Sequence, residues 1–265
     1  MTPTFANLVY EGSHSQTSWN GVALQTCPEL DSFMRDEVAS RLNDTDGSTD
    51  FQTHLRGLQL TDFGKPSLEA ILNAKVPEER DWAVGEALAE AYLTKSLGIQ
   101  WPWNMERDKR NPRASLPGAD IVGFIPSGSQ FRLALGEVKT STEKRYPPQV
   151  MSGRTGGIVN QIETLASDLG IVHQLLTWLH PRCKGTEFEN AFNYSVTGYL
   201  NSGNKDAALF GVLIRDTIAN ELDLMARGKS LGATVSNPAS CNLIAIYLPH
   251  DISELPTRMS GGRAS

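Results

Sequence analysis

The sequence predicts an α/β protein, a central mixed β-sheet flanked by helices and preceded by a partly helical N-terminal extension. Three observations carry this. Helix-period segments alternate along the chain with short apolar runs rich in β-branched residues. Their order after the extension is helix, two strands, helices, strand, helix, strand, which suits a layered architecture. The 265 residues are 40% hydrophobic and 20% charged, an ordinary globular balance in a chain long enough to bury a sizeable core.

Residues 1–26 are mixed and turn-rich, and no element is assigned to them. A first helix is expected from Pro28 to Leu42, with Pro at its first position and Leu30, Phe33, Met34, Val38 and Leu42 at helical spacing. The stretch NDTDGSTD (43–50) reads as a solvated loop. It fails as an EF-hand, because Leu42 falls where the first ligand would have to be. Helices are expected over 66–75 and 77–97, the second with Pro77 inside its start and Gly98 past its end. Two strands follow at 119–126 and 131–140, joined by residues 127–130. Helices over 157–169, 171–180 and 186–199, a buried strand over 207–214, a helix over 216–227 and a strand over 241–249 complete the pattern. The chain divides on this reading into an extension (1–76), a core (77–250) and a flexible tail (251–265).

Charge is segregated. The net charge is −6, and residues 1–50 alone hold eight acids against two bases. Residues 101–150 hold eight bases against five acids. A generally basic nucleic-acid coat is excluded, so any nucleic-acid contact must use a local patch. The acidic extension is expected to dock a partner or to shield that patch. Cys27, Cys183 and Cys241 lie far apart without a CxxC, which argues against a disulfide framework or zinc knuckle and fits a reducing cytoplasm. The first residues lack a basic-then-apolar leader pattern, and no apolar run reaches the roughly 18 residues that span a membrane.

Chemistry concentrates in residues 117–139. With a four-residue connection at 127–130, every cross-strand pair sums to 257, which sets Asp120 opposite Glu137 on one face. Lys139 shares that face, one alternation further along. Two carboxylates converging at a sheet end can hold Mg²⁺, or Mn²⁺, through oxygen ligands. A lysine beside the ion would orient a water or stabilise charge developing on a phosphate. An E-x-K triplet alone is expected on the order of once in a chain of this length, and the bland alternative is an edge-strand salt bridge. Context raises it, because charges interrupt faces that are otherwise apolar, and a buried charge is costly unless paired or coordinating. Glu86 lies on the apolar stripe of helix 77–97 with Trp82, Ala89 and Leu93 and should point inward, either as a structural partner or as a third site carboxylate.

Helix Glu86, then LPGAD ending at Asp120, then Glu137-Val138-Lys139 resembles the PD-(D/E)XK nuclease superfamily. The inserted Gly118 and Ala119 depart from a strict Pro-Asp first motif. The resemblance covers about residues 77–250 and implies a restriction-endonuclease-like core. It also implies an Mg²⁺-dependent deoxyribonuclease, with Asp120, Glu137 and Glu86 as metal ligands and Lys139 as a catalytic residue. Gln161, on the following helix, matches the place of a further polar active-site residue, or is simply a solvent-facing helix residue. Within the superfamily, residues 119–145 and the acidic extension look like the nuclease subunit of Hachiman antiphage defence systems, which implies a helicase partner that restrains the nuclease.

Arg107, Lys109, Arg110 and Arg113 before the motif, and Lys144, Arg145 and Arg154 after it, are candidate DNA-phosphate contacts or simply a soluble surface. Trp101, Trp103 and Tyr146 are candidate base-stacking groups, or core and loop anchors. No nucleotide cofactor is expected. Gly228-Lys229-Ser230 has Asp223 where a phosphate loop needs Gly. No GxSxG or HExxH occurs, and His173 and His180 lack partner cysteines. Two other readings stay open, a nuclease-fold adaptor that binds DNA or a protein without turnover, and an unrelated α/β protein in which Asp120 and Glu137 lie on opposite faces.

Overall fold

The computed structural model describes residues 2–58, 62, 64–73, 81–108, 118–153 and 156–259. Six strands form a mixed sheet: β1 (Ala6–His14), β2 (Thr17–Leu24), β3 (Ile121–Ser127), β4 (Gln130–Ser141), β5 (Ala207–Arg215) and β6 (Ser240–Tyr247). Their spatial order is β1-β2-β6-β5-β4-β3. The two outer pairs are antiparallel and the three inner pairings, β2–β6, β6–β5 and β5–β4, are parallel. Parallel strands are covered on both faces and so are continuously apolar, and every residue of β5, AALFGVLIR, is buried.

The helices are α1 (Pro28–Ser32), a π-helical stretch Phe33–Val38 that runs on into α2 (Ala39–Leu42), α3 (Thr45–Arg56), α4 (Gly64–Asn73), α5 (Asp81–Leu97), α6 (Met105–Asp108), α7 (Ile158–Ser167), α8 (Leu169–Cys183), α9 (Glu189–Asn201), α10 (Met225–Thr234) and α11 (Leu255–Met259). They cover both faces of the sheet. α5 lies on the face carrying Thr140, with the π-helical stretch, α2 and α11 packed on α5. α7 lies on the opposite face over Gly211, and α9 reaches that same face through a Phe124–Phe192 edge contact. The α/β class and the helix-flanked mixed sheet are as the sequence predicts.

The hairpin register also agrees. Ile121 pairs with Gly136, Phe124 with Leu133 and Pro126 with Phe131. Pairing extends to Ser127 and Gln130, which tightens the connection to a two-residue turn, Gly128–Ser129.

Four expectations need correction. Residues 6–24 form two strands of the main sheet, so the N-terminal region is part of the core fold. β2 pairs with β6 along its length, and Phe5, Trp19, Val22, Leu24, Phe33 and Met34 are all buried. Residues 45–50 begin α3, because the Asp44 carboxylate accepts the Gly47 N–H and caps the helix. The helix expected over 216–227 starts at Met225 instead, and it tolerates Gly228 and Gly232 because Trp19 and the His14 carbonyl occupy the space that side chains there would need. Residues 252–259 of the expected tail are ordered, with Leu255 and Met259 buried against the π-helical stretch and α5.

The acids of the N-terminal region meet bases elsewhere in the fold. Glu37 pairs with Lys95 at 2.5 Å, Asp44 with Arg107 at 3.8 Å and Asp31 with Arg258 at 3.7 Å. In the opposite sense, Arg41 binds the fully buried Glu90 of α5 at 2.6 Å and the Trp103 carbonyl at 3.0 Å. Among the described residues no helix is long and apolar enough to cross a membrane. Cys183 and Cys241 are buried and Cys27 half-buried, and all three are free.

Candidate active site

β4 continues past the start of β3, whose first residue Ile121 pairs with Gly136. Residues 137–141 therefore have β5 on one side and no β3 partner on the other. Into that gap comes Asp120, immediately before β3. Its backbone N–H donates to the Gly136 carbonyl at 3.0 Å, and its Oδ2 accepts the Val138 N–H at 3.0 Å. A carboxylate stands where a strand carbonyl would otherwise complete the ladder.

Glu137 and Lys139 project from one face of β4, and the Lys139 ammonium donates a hydrogen bond to the Glu137 carboxylate. Asp120, Glu137 and Glu86 are all buried, and the Lys139 side chain is 31% exposed. Burial, followed by the neighbouring Asp120 charge, raises the Glu137 pKa to about 7 against the opposing pull of Lys139. Burial alone would lower the Lys139 pKa. The hydrogen bond to Glu137 and the charges of Glu137, Asp120 and Glu86 outweigh it, so the ammonium is held protonated. Glu86, on α5, is thus close enough for its charge to act on Lys139.

Two glycines let the covering helices approach this point. A side chain at Gly85 of α5 would sit 2.5 Å from Thr140 Cγ2. One at Gly211, which pairs with Glu137, would sit 2.5 Å from Ile158 Cγ2 of α7. Gln161 is half-buried on α7, three residues after Ile158 and thus on its sheet-facing side.

The structure therefore brings Asp120, Glu137 and Lys139 together, adds the charge of Glu86 from α5, and has Gln161 on α7. It does not bring the three carboxylates into one ligand set. Among the described residues no group of three or more His, Cys, Asp or Glu side chains is arranged to hold a metal ion. The adjacent Asp120–Glu137 pair still fits a hard divalent cation by its chemistry. Both donors are oxygens, and burial, followed by their mutual repulsion, opposes ionising both, a cost that a bound cation would relieve.

Of the candidate phosphate contacts, Lys144 and Arg145 are exposed on the loop that follows β4. Arg145 meets Glu143 at 2.9 Å. Arg107 is tied to Asp108 at 3.1 Å and Asp44 at 3.8 Å, so acids of this chain occupy it. Lys109, Arg110, Arg113 and Arg154 lie outside the described residues. Trp101 and Trp103 are buried anchors, their indole N–H groups donating to Thr94 Oγ1 at 2.7 Å and to the Val122 carbonyl at 2.8 Å.

Sequence reasoning missed Arg215. It is fully buried at the end of β5, on the face that carries Glu137 and Lys139, and it pairs in register with Ser141. Its only signal was a cation closing an apolar run, which reads equally well as the strand reaching solvent. No protein-family model matches the chain, and no curated protein matches it.

Proposed function

We propose that this protein is a metal-dependent DNA nuclease that hydrolyses phosphodiester bonds. The observation that carries the proposal is the buried cluster at the open flank of β4, in which Asp120 abuts Glu137, Glu137 binds Lys139, and Lys139 feels the charge of Glu86. A salt bridge that only stabilised a sheet edge would not need a second carboxylate pressed against the first, since that contact opposes ionisation.

Asp120 and Glu137 would hold Mg²⁺ or Mn²⁺, with Glu86 assisting by charge. When bound, the ion supplies positive charge to the scissile phosphate and acidifies water at the site. The remaining roles fall to the chain. Lys139 is protonated with the carboxylates as they stand, so it acts as a donor that orients a water or binds a phosphate oxygen and does not act as the base. The Val138 N–H fixes one Asp120 oxygen. Gln161 would position water or substrate from α7. Lys144 and Arg145 would contact DNA phosphates.

The resemblance of residues 119–145 extends the proposal to a cytoplasmic antiphage effector restrained by a helicase partner. The experiment uses labelled single- and double-stranded DNA with the purified chain, in Mg²⁺ or EDTA, alone and with a genomically neighbouring helicase. Mg²⁺-dependent cleavage is expected, and Glu137→Ala with Lys139→Ala should abolish it while DNA binding persists. Full cleavage by that double variant would sink the proposal. DNA binding by the wild type without turnover would favour the adaptor reading.

A further inference from the structure

Beyond Lys139, on the same face, the fold holds a polar hub that the cleavage reading leaves unused. Arg215 pairs with Ser141, two positions past the Lys139–Leu213 pair, so its side chain emerges about 7 Å further along that face. It is fully buried, yet each of its contacts is to a loop or loop base at the carboxyl ends of β4 and β5. One terminal nitrogen donates to the Arg145 carbonyl at 3.2 Å, the other to Ser141 Oγ at 3.5 Å, and Nε to Thr217 Oγ1 at 3.2 Å. Its guanidinium carbon lies 5.5 Å from the Tyr146 ring centroid, and Nε lies 3.6 Å from Asp223.

Two further links close the assembly. The Tyr146 hydroxyl donates to the Ile218 carbonyl at 3.2 Å, which joins the β4 exit loop to the β5 exit loop. The Tyr247 hydroxyl lies 2.8 Å from Asp223 Oδ2 and accepts the Asn220 N–H at 3.2 Å, which anchors the base of the second loop to β6. The surface of this braced structure presents Lys144, Ile218 at 86% exposure, and Arg145, which a phosphate would have to draw from its 2.9 Å pair with Glu143. A loop bound at so many points displays an apolar side chain because of its shape and not through slackness. A guanidinium suits this role because its planar fork can serve several acceptors at once, which an ammonium cannot match.

We propose that Arg215 is a positioning residue that locks the β4 and β5 exit loops into one DNA-binding rim. In that rim Lys144 and Arg145 meet backbone phosphates, and Ile218 packs on an adjoining sugar or base. The proposal rests on the nuclease reading and names the part of the fold that sets substrate affinity, separate from the carboxylates and lysine that do the chemistry.

The test is equilibrium binding of a short labelled DNA duplex to the full chain in EDTA across a salt series, with steady-state cleavage in Mg²⁺. Arg215→Lys should weaken binding about tenfold and reduce the slope of log affinity against log salt by about one to two phosphate contacts. KM should rise and kcat should change little. The loss should be non-additive with Lys144→Ala and Arg145→Ala, as expected if Arg215 acts through them. Ile218→Ser should lower affinity and leave the salt slope unchanged. A folded Arg215→Lys with wild-type affinity and slope, or fully additive losses, would overturn the proposal. If Arg215→Lys does not fold, Tyr146→Phe decides, since it removes only the hydroxyl bond to Ile218 and keeps the ring against Arg215. Faster amide exchange over 142–146 with weaker binding supports the rim, and no change in either overturns it. If the wild type binds and cleaves no DNA, the nuclease reading has failed and the rim falls with it. If the wild type is active and these variants match it, only the rim falls.

Discussion

Replacing Glu137 with Gln should abolish cleavage and make the protein more stable. The Glu137 pKa stands at about 7 in the fold against an ordinary 4.5, through burial and the Asp120 charge. Between those values the folded chain keeps a proton that the unfolded chain has given up. The associated stability is therefore fully present below about pH 4.5 and is lost as pH rises through 7, a total of about 3 kcal/mol. Gln carries no charge to desolvate, so the variant escapes this loss. The pull of Lys139 is already contained in the raised pKa, so losing that ion pair subtracts nothing further. The net expectation is a variant about 3 kcal/mol more stable than wild type at pH 8 and nearly equal to it at pH 4.5. Urea unfolding in EDTA at a series of pH values measures this directly. A variant less stable than wild type at pH 8, or a difference that does not change with pH, would refute the reasoning.

Three further outcomes follow from the same geometry. Mg²⁺ binding at pH 7 should release about half a proton per site and almost none at pH 9, since the cation displaces the proton held between Asp120 and Glu137; calorimetry in buffers of different ionisation enthalpy reads the release, and Glu137→Gln should remove it. Arg41→Ala should destabilise the fold by about 3 kcal/mol in urea, because it takes the Arg41 cation from the buried Glu90 carboxylate, whereas replacing Arg41 and Glu90 together by Met should cost much less. Deleting residues 1–50 should abolish cooperative unfolding, since β2 completes the sheet beside β6; a truncated chain that still melts cooperatively would show the region to be an appendage after all.

The parts of the fold legible in the sequence are those fixed by local pattern. Residues 121–141 form two apolar runs around a turn, and the register in which cross-strand pairs sum to 257, one of those the sequence allowed, sets Asp120 beside Glu137. Helix α5 reads from its apolar content and from Gly98. The β1–β2 hairpin was not legible. β1 is an edge strand with Leu8 at 50% and Val9 at 45% exposure, and its Gly and Ser residues look like turn formers. What makes β2 a strand is pairing with β6, more than 200 residues away, and no local window contains that information. The continuation of α10 past residue 227 was lost for a related reason. Gly228 and Gly232 look like helix breakers until Trp19 and His14 are seen to need the space. At the site, the E-x-K spacing and the inward Glu86 were readable, but the role of Arg215 depends on the two loops that fold around it.

The claim at the centre of this account is that the Asp120–Glu137–Lys139 cluster hydrolyses DNA with a divalent ion. A time course of labelled DNA with the full chain, wild type beside Lys139→Met, in Mg²⁺ and in EDTA, tests it most directly. Shortened products are expected only for the wild type in Mg²⁺, with DNA binding retained by Lys139→Met. Equal cleavage by both proteins, or cleavage that persists in EDTA, would contradict it.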